Sequence, residues 1–102
     1  MADLDEIRRQ VANKTYLLTG HASSRAAERA IRSYEIEEAI ANCRVVEDYP
    51  NNENGPSCLL LGYTKNGRPL HIVVSYPPAI RVITIYQPSA EEWSGDFMTR
   101  KT

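Results

Sequence analysis

The side chains best suited to chemistry in this sequence are two histidines, a phenol and a scatter of cations. His71 and Tyr86 fall in apolar, strand-like runs, and Lys65 and Arg68 flank an Asn66–Gly67 pair. His21, Arg25, Arg29 and Arg32 follow one another at i, i+4, i+8 and i+11, which is one stripe of a helix. An imidazole, a phenol and guanidinium groups are the components of metal-independent RNA cleavage. One group takes the proton of the 2′-hydroxyl, cations stabilise the phosphorane, and an acid protonates the leaving 5′-oxygen. On this reading His71, His21 and Tyr86 are the candidate proton-transfer residues, and Arg25, Arg29, Lys65 and Arg68 the candidate phosphate or anion ligands.

Each of these residues also has an ordinary structural explanation. A strand histidine is commonly just hydrogen-bonded, and His21 fits the first turn of its helix. The arginine stripe suits a solvated helix face, Lys65 and Arg68 keep a hairpin tip soluble, and Tyr86 packs. Trp93 reads as an anchor for the C-terminal turn. Two histidines without a ligand-spaced partner argue against a metal site, and no P-loop, nucleophile elbow or dinucleotide fingerprint calls for a cofactor.

The elements that must position these residues follow from periodicity. Leu4, Ile7 and Val11 mark a short amphipathic helix, with Asp3, Asp5 and Glu6 at its N-terminal end. Residues 15–19 read as a brief extended piece, after which Thr19 caps a helix over about 21–32 and Ser33 a second over about 35–42. Strands follow at Val45–Asp48, Ser57–Tyr63, Pro69–Tyr76 and Ile80–Tyr86. Asn66–Gly67 predicts a two-residue type I′ hairpin, which pairs Gly62 with His71 and Leu61 with Ile72. Leu59, Leu61, Tyr63, Leu70, Ile72 and Val74 then share the core face, and His71 lies on the other. A two-residue connection at Pro77–Pro78 sets Ile72 against Ile83 and His71 against Thr84, with Tyr86 one diagonal step away. Ser89 and Glu92 form a capping box for a short C-terminal helical turn. The expected fold is α+β: two to three N-terminal helices packed on a four-stranded, mostly antiparallel sheet in a RelE-like layout. The core covers about 15–88, and a loose tail occupies 97–102.

At 102 residues, with 42% hydrophobic and 25% charged side chains, the chain suits one ordinary globular domain and excludes collagen-like, coiled-coil and wholly disordered classes. Cys43 and Cys58 form no CxxC, and no signal-peptide pattern precedes them, so reduced thiols and a cytoplasmic location are expected. No apolar run reaches the roughly 18 residues of a membrane helix. Net charge is −1, unlike a general nucleic-acid binder, but its distribution is uneven. Four cations against Glu28 leave residues 13–34 at +3, six acids against Arg44 leave 35–53 at −5, and 54–90 holds Lys65, Arg68 and Arg81 with no acid. Basic segments that meet in space would make a local anion site.

Read together, His21-Ala22 with Arg25 and Arg29, Ile36 with Ala39, Glu47-Asp48-Tyr49-Pro50, Cys58-Leu59-Leu60-Leu61-Gly62, Arg68-Pro69-Leu70-His71 and Ile83-Thr84-Ile85-Tyr86 resemble domain-of-unknown-function family 4258, small bacterial and archaeal proteins, over about residues 15–100. His21, Arg25, Arg29, Arg68 and His71 are the positions that match its pattern. More distantly, the helices-then-sheet plan is similar to RelE/ParE-like and BrnT-like toxins. That similarity implies a messenger-RNA endonuclease, ribosome-dependent or free, neutralised by a cognate antitoxin. The expected function is a toxin-like, metal-independent ribonuclease with RNA and an antitoxin as partners. The rivals are a non-catalytic protein-interaction module and a small-anion-binding domain.

Overall fold

A computed structural model describes residues 2–101. Three helices, α1 (Leu4–Ala12), α2 (Gly20–Glu28) and α3 (Ser33–Ala41), combine with five strands, β1 (Leu17–Leu18), β2 (Arg44–Tyr49), β3 (Ser57–Tyr63), β4 (Pro69–Ser75) and β5 (Arg81–Tyr86). The sheet order is β1-β5-β4-β3-β2, with β1 parallel to β5 and the other pairs antiparallel. The fold is therefore α+β, but its sheet is five-stranded and mixed where four strands were expected. The extended piece after Thr15 is itself the added edge strand. No helix among the described residues is long and apolar enough to cross a membrane.

The helix starts follow local hydrogen bonding. Asp3 accepts from the Glu6 N–H at 3.1 Å and Thr19 Oγ1 from the Ala22 N–H at 3.1 Å, each satisfying a first-turn donor. At α3 the cap is Arg32 rather than Ser33, and the Glu35 carboxylate reaches back to the Arg32 N–H at 2.9 Å. α2 stops at Glu28, short of the expected residue 32, because Ala30 turns left-handed at φ 53 and the Ile31 N–H returns to the Ala26 carbonyl at 2.8 Å.

The helices cover one sheet face. Ala22 and Ala26 of α2, Ile36, Ala39 and Ile40 of α3, and Ile7 and Val11 of α1 are buried against Cys58, Leu60, Leu70, Ile72, Val74, Val82 and Ile85. α3 approaches β3 so closely that a Cβ on Gly62 would stand 1.9 Å from the Ala39 carbonyl oxygen. The Asn42 side chain fixes the same junction: its amide donates to the Tyr63 carbonyl at 2.9 Å and accepts from the Tyr63 N–H at 3.0 Å, as a neighbouring strand would. Cys43 and Cys58 are buried and free in this core, and burial pushes both thiols up, Cys58 to about 12.

The observed register differs from the expected one. Gly67 is left-handed at φ 83 and Asn66 is not, so the β3–β4 connection is a three-residue turn ending in a glycine bulge. Leu61 therefore faces His71, Leu60 faces Ile72, and Gly62 faces Leu70. This one-residue slip turns Leu60 and Cys58 to the helices and Leu59 and Leu61 to the opposite face, the reverse of the expected assignment for β3. The β4–β5 connection is also longer than two residues, running Tyr76–Ile80 with a cis Pro77–Pro78 bond. With a register shift at Val73/Val74, it sets His71 directly across from Tyr86 and Ile72 across from Ile85.

The second face is covered by the C-terminal segment. From Ser89 the chain makes the expected single helical turn, in which the Trp93 N–H donates to the Ser89 carbonyl at 3.1 Å, and Trp93 then bridges to Arg100. The Lys101 N–H donates to the Glu92 carbonyl at 2.9 Å, and the Arg100 guanidinium holds Glu47 at 2.8 and 3.1 Å. The tail expected to hang loose from residue 97 is thus tied down through residue 101. Gly62→Ala is expected to cost about 3 kcal/mol or more in urea unfolding, because the clash is with backbone that cannot rotate away. Gly95→Ala, where nothing lies within 4 Å, is expected to change stability by less than about 0.5 kcal/mol.

Candidate functional site

His71 is fully buried at the centre of the covered face. Its Nε2 lies 2.9 Å from the Phe97 carbonyl oxygen, which can only accept, so Nε2 carries the proton. Nδ1, 3.0 Å from the Tyr86 hydroxyl, is then the acceptor, and Tyr86 donates to it. Phe97 delivers its carbonyl from a left-handed conformation, φ 60, that a side-chain-bearing residue seldom adopts. The indole of Trp93 stands edge-on to the imidazole at 4.4 Å between ring centroids, and that of the Tyr86 ring at 5.2 Å. Burial lowers the His71 pKa, so the ring is neutral near pH 7, while the Phe97 carbonyl and the nearby Glu47 carboxylate favour its proton. Desolvation raises the Tyr86 pKa and keeps the phenol protonated.

Above this pair opens a pocket of about 330 Å³ lined by Arg29, Tyr86, Gln87, Glu92, Trp93 and Arg100. Arg29 donates to the Ile85 carbonyl at 3.1 Å. Arg100 is held by Glu47 and lies over the Trp93 ring at 4.7 Å from its centroid. The Arg100 hydrogen bond, with Tyr49 donating to the same carboxylate, keeps Glu47 below the usual carboxylate range. The arrangement offers two guanidinium groups, the Glu92 carboxylate in the lining, the Glu47 carboxylate behind Arg100, and a hydroxyl backed by a neutral imidazole. Among the described residues no three His, Cys, Asp or Glu side chains gather as a metal site.

Of the residues singled out from the sequence, His71, Tyr86 and Arg29 come together here, and the other four do not line the pocket. His21 sits at the sheet margin, its Nε2 3.1 Å from Thr84 Oγ1, and Arg25 pairs with Glu28 at 3.0 Å. Lys65 lies in the β3–β4 turn, where its backbone N–H donates to Glu38. Arg68 is committed elsewhere: its guanidinium donates to the carbonyls of Arg29 and Ala30 at 2.8 and 3.1 Å and to Gln87 at 2.9 Å, and it pairs with Glu35 at 3.5 Å. It caps the carboxyl end of α2, where a cation is favoured, and four of its five N–H donors are already engaged. Glu47 and Arg100, 53 residues apart, were not recognisable as partners, since no local pattern joins a bulged strand to a C-terminal turn.

Two measurements follow. The unfolded chain binds a proton on His71 below about pH 6.5 while the folded chain resists it, so stability is complete above that pH and falls as acid is added, by at most about 1.4 kcal/mol per pH unit. Glu47 loses its contribution only below about pH 4.5, so denaturant titrations between pH 6.5 and 5 isolate the histidine, and His71→Gln is expected to flatten that slope. Arg68→Ala is expected to cost about 2 kcal/mol in the same assay at pH 7, because the Arg29 and Ala30 carbonyls just past α2 lose a charged donor.

No curated protein and no solved structure matches the chain. One family does, and its profile extends over residues 18–87, from β1 through β5 to Gln87 on the pocket rim. By that match the chain belongs to the family described as domain of unknown function (DUF4258).

Proposed function

We propose that the chain is a metal-independent ribonuclease of the toxin type, acting at the Arg29–Tyr86–Arg100 pocket. The observation that carries this reading is the Tyr86 hydroxyl donating to a buried, neutral His71 at 3.0 Å beneath two guanidinium groups. A raised pKa makes Tyr86 a poor base alone, but the pair works as a relay. The RNA 2′-hydroxyl gives its proton to the Tyr86 oxygen as Tyr86 passes its own to His71 Nδ1. The 2′-oxygen attacks phosphorus, and the P–O5′ bond breaks as the proton returns through Tyr86 to the 5′-oxygen. The products are a 2′,3′-cyclic phosphate and a free 5′-hydroxyl. Arg29 and Arg100 face the developing phosphorane charge, and Glu47 and the Phe97 carbonyl stabilise the transient imidazolium. A toxin of this type would have a cognate antitoxin as its protein partner.

Incubating labelled mixed-sequence RNA with the protein in EDTA tests the reading. Cleavage leaving cyclic phosphate ends is expected, with DNA untouched. Tyr86→Phe should lower the rate about 100-fold or more, and Arg29→Ala should weaken both binding and rate. A folded wild type that cuts no RNA, with or without ribosomes, rejects the proposal. Binding of orthophosphate at the pocket without cleavage favours an anion-binding domain instead.

A further inference from the structure

The chain protects most of its sheet margin and leaves one stretch open. At β2 the register shifts between Val45 and Glu47 and the strand carries Glu47 and Asp48, so that edge is bulged and charged. The outer edge of β5 beyond the reach of β1 is closed by side chains, with Thr19 Oγ1 donating to Ile83 O at 3.0 Å and Arg29 to Ile85 O at 3.1 Å. β1 has neither device. The Leu17 and Thr19 N–H groups donate inward to Ile80 and Val82 at 3.1 and 3.0 Å. The alternation of a parallel ladder then turns the Leu18 N–H and C=O outward, and no backbone or side-chain hydrogen bond meets them among the described residues.

Apolar surface flanks this edge on both faces. Leu17 is 68% exposed, the highest of the large hydrophobic residues among the described ones. On the Leu18 side an open groove of about 680 Å³ runs between α2 and α3, lined by Ala26, Ala30 and Ile31, with Tyr34 56% exposed. A strand laid against β1 would set alternate side chains beside Leu17 and into the groove, so one occupant accounts for both exposures. Charge selects the occupant. Arg81, across from Leu17, and Arg32, in the groove wall, are exposed and hold no ion pair among the described residues. A second copy of the chain would bring these arginines against their own kind, whereas carboxylates would neutralise them. We infer that β1 is a docking edge for an extended apolar segment of a partner protein, flanked by acidic residues and added as a sixth strand.

The probe is a fluorescein-labelled peptide of three valines between two glutamates on each side, compared with its lysine-flanked counterpart by anisotropy. Saturable binding of the glutamate peptide is expected, with the lysine peptide about tenfold weaker or worse. Leu17→Asp should abolish binding without changing the circular dichroism, since this side chain is mostly in solvent. Joint Arg32→Glu and Arg81→Glu substitution should reverse the preference between the peptides. Absence of saturable binding, equal affinity for both peptides or unchanged binding by Leu17→Asp overturns the inference. So does a wild-type dimer in sedimentation that Leu17→Asp dissociates, because the edge then belongs to a second copy.

Discussion

A central strand that is apolar on both sides needs two covers, and most of this structure follows from that. From Ser57 to Gly62 every residue of β3 is buried. Cys58 and Leu60 face the helices, while Leu59 and Leu61 face the other way. Each fully buried leucine is worth about 1.5–3 kcal/mol, against an ordering cost of about 1–2 kcal/mol for each backbone residue that covers it. The short segment from Glu92 to Arg100 therefore needs more than apolar contact. It gains the Arg100–Glu47 pair, the stacking of Arg100 on Trp93 and the Phe97–His71 hydrogen bond. His71 is buried because it stands in the row under this cover, and its two ring nitrogens remain satisfied because the cover supplies one partner and β5 the other.

Arginines perform the remaining joining. Arg68 ties β4 to the end of α2, the start of α3 and Gln87. Arg29 ties α2 to β5, and Arg100 ties the C-terminal segment to β2. A planar guanidinium with five donors can serve several carbonyl oxygens in one plane, which a lysine cannot. Of the cations in the middle of the sequence, Arg29 and Arg68 are thus engaged between elements, while Arg32 and Arg81 stay exposed. Arg29 and Arg100 still face a pocket after meeting those structural contacts.

How much of this was legible in the sequence depended on whether the signal was local. The three helices, the Thr19 cap and the alternation that keeps His71 and Tyr86 on one face were readable from spacing. The facing of β3 was not, because the continuous apolar run Cys58–Leu61 has no preferred side and only the turn decides. Asn66–Gly67 is compatible with more than one turn, and its glycine-bulge form moved every β3 side chain across the sheet. The second cover was invisible for a related reason. Ser89 to Arg100 has the composition of a polar tail, and its order comes from partners such as Glu47 and His71 that lie far away in sequence. Arg68 was recognised as important by type and misassigned in role, since a helix end exposing two carbonyls is apparent only once the helix is known to stop at Glu28.

The two buried thiols carry a further implication, for kinetics. Cys43 and Cys58 are sealed in the helix-facing core, and their raised pKa leaves few thiolates even when a reagent arrives. An alkylating agent must wait for the layer above them to part, so labelling speed becomes a clock for that opening. Cys43 follows the end of α3, and Cys58 lies in the central strand, so the clock has two hands. Equal rates would mean that helix and sheet separate as one cooperative unit, whereas a faster Cys43 would mean that α3 frays while the sheet stays closed.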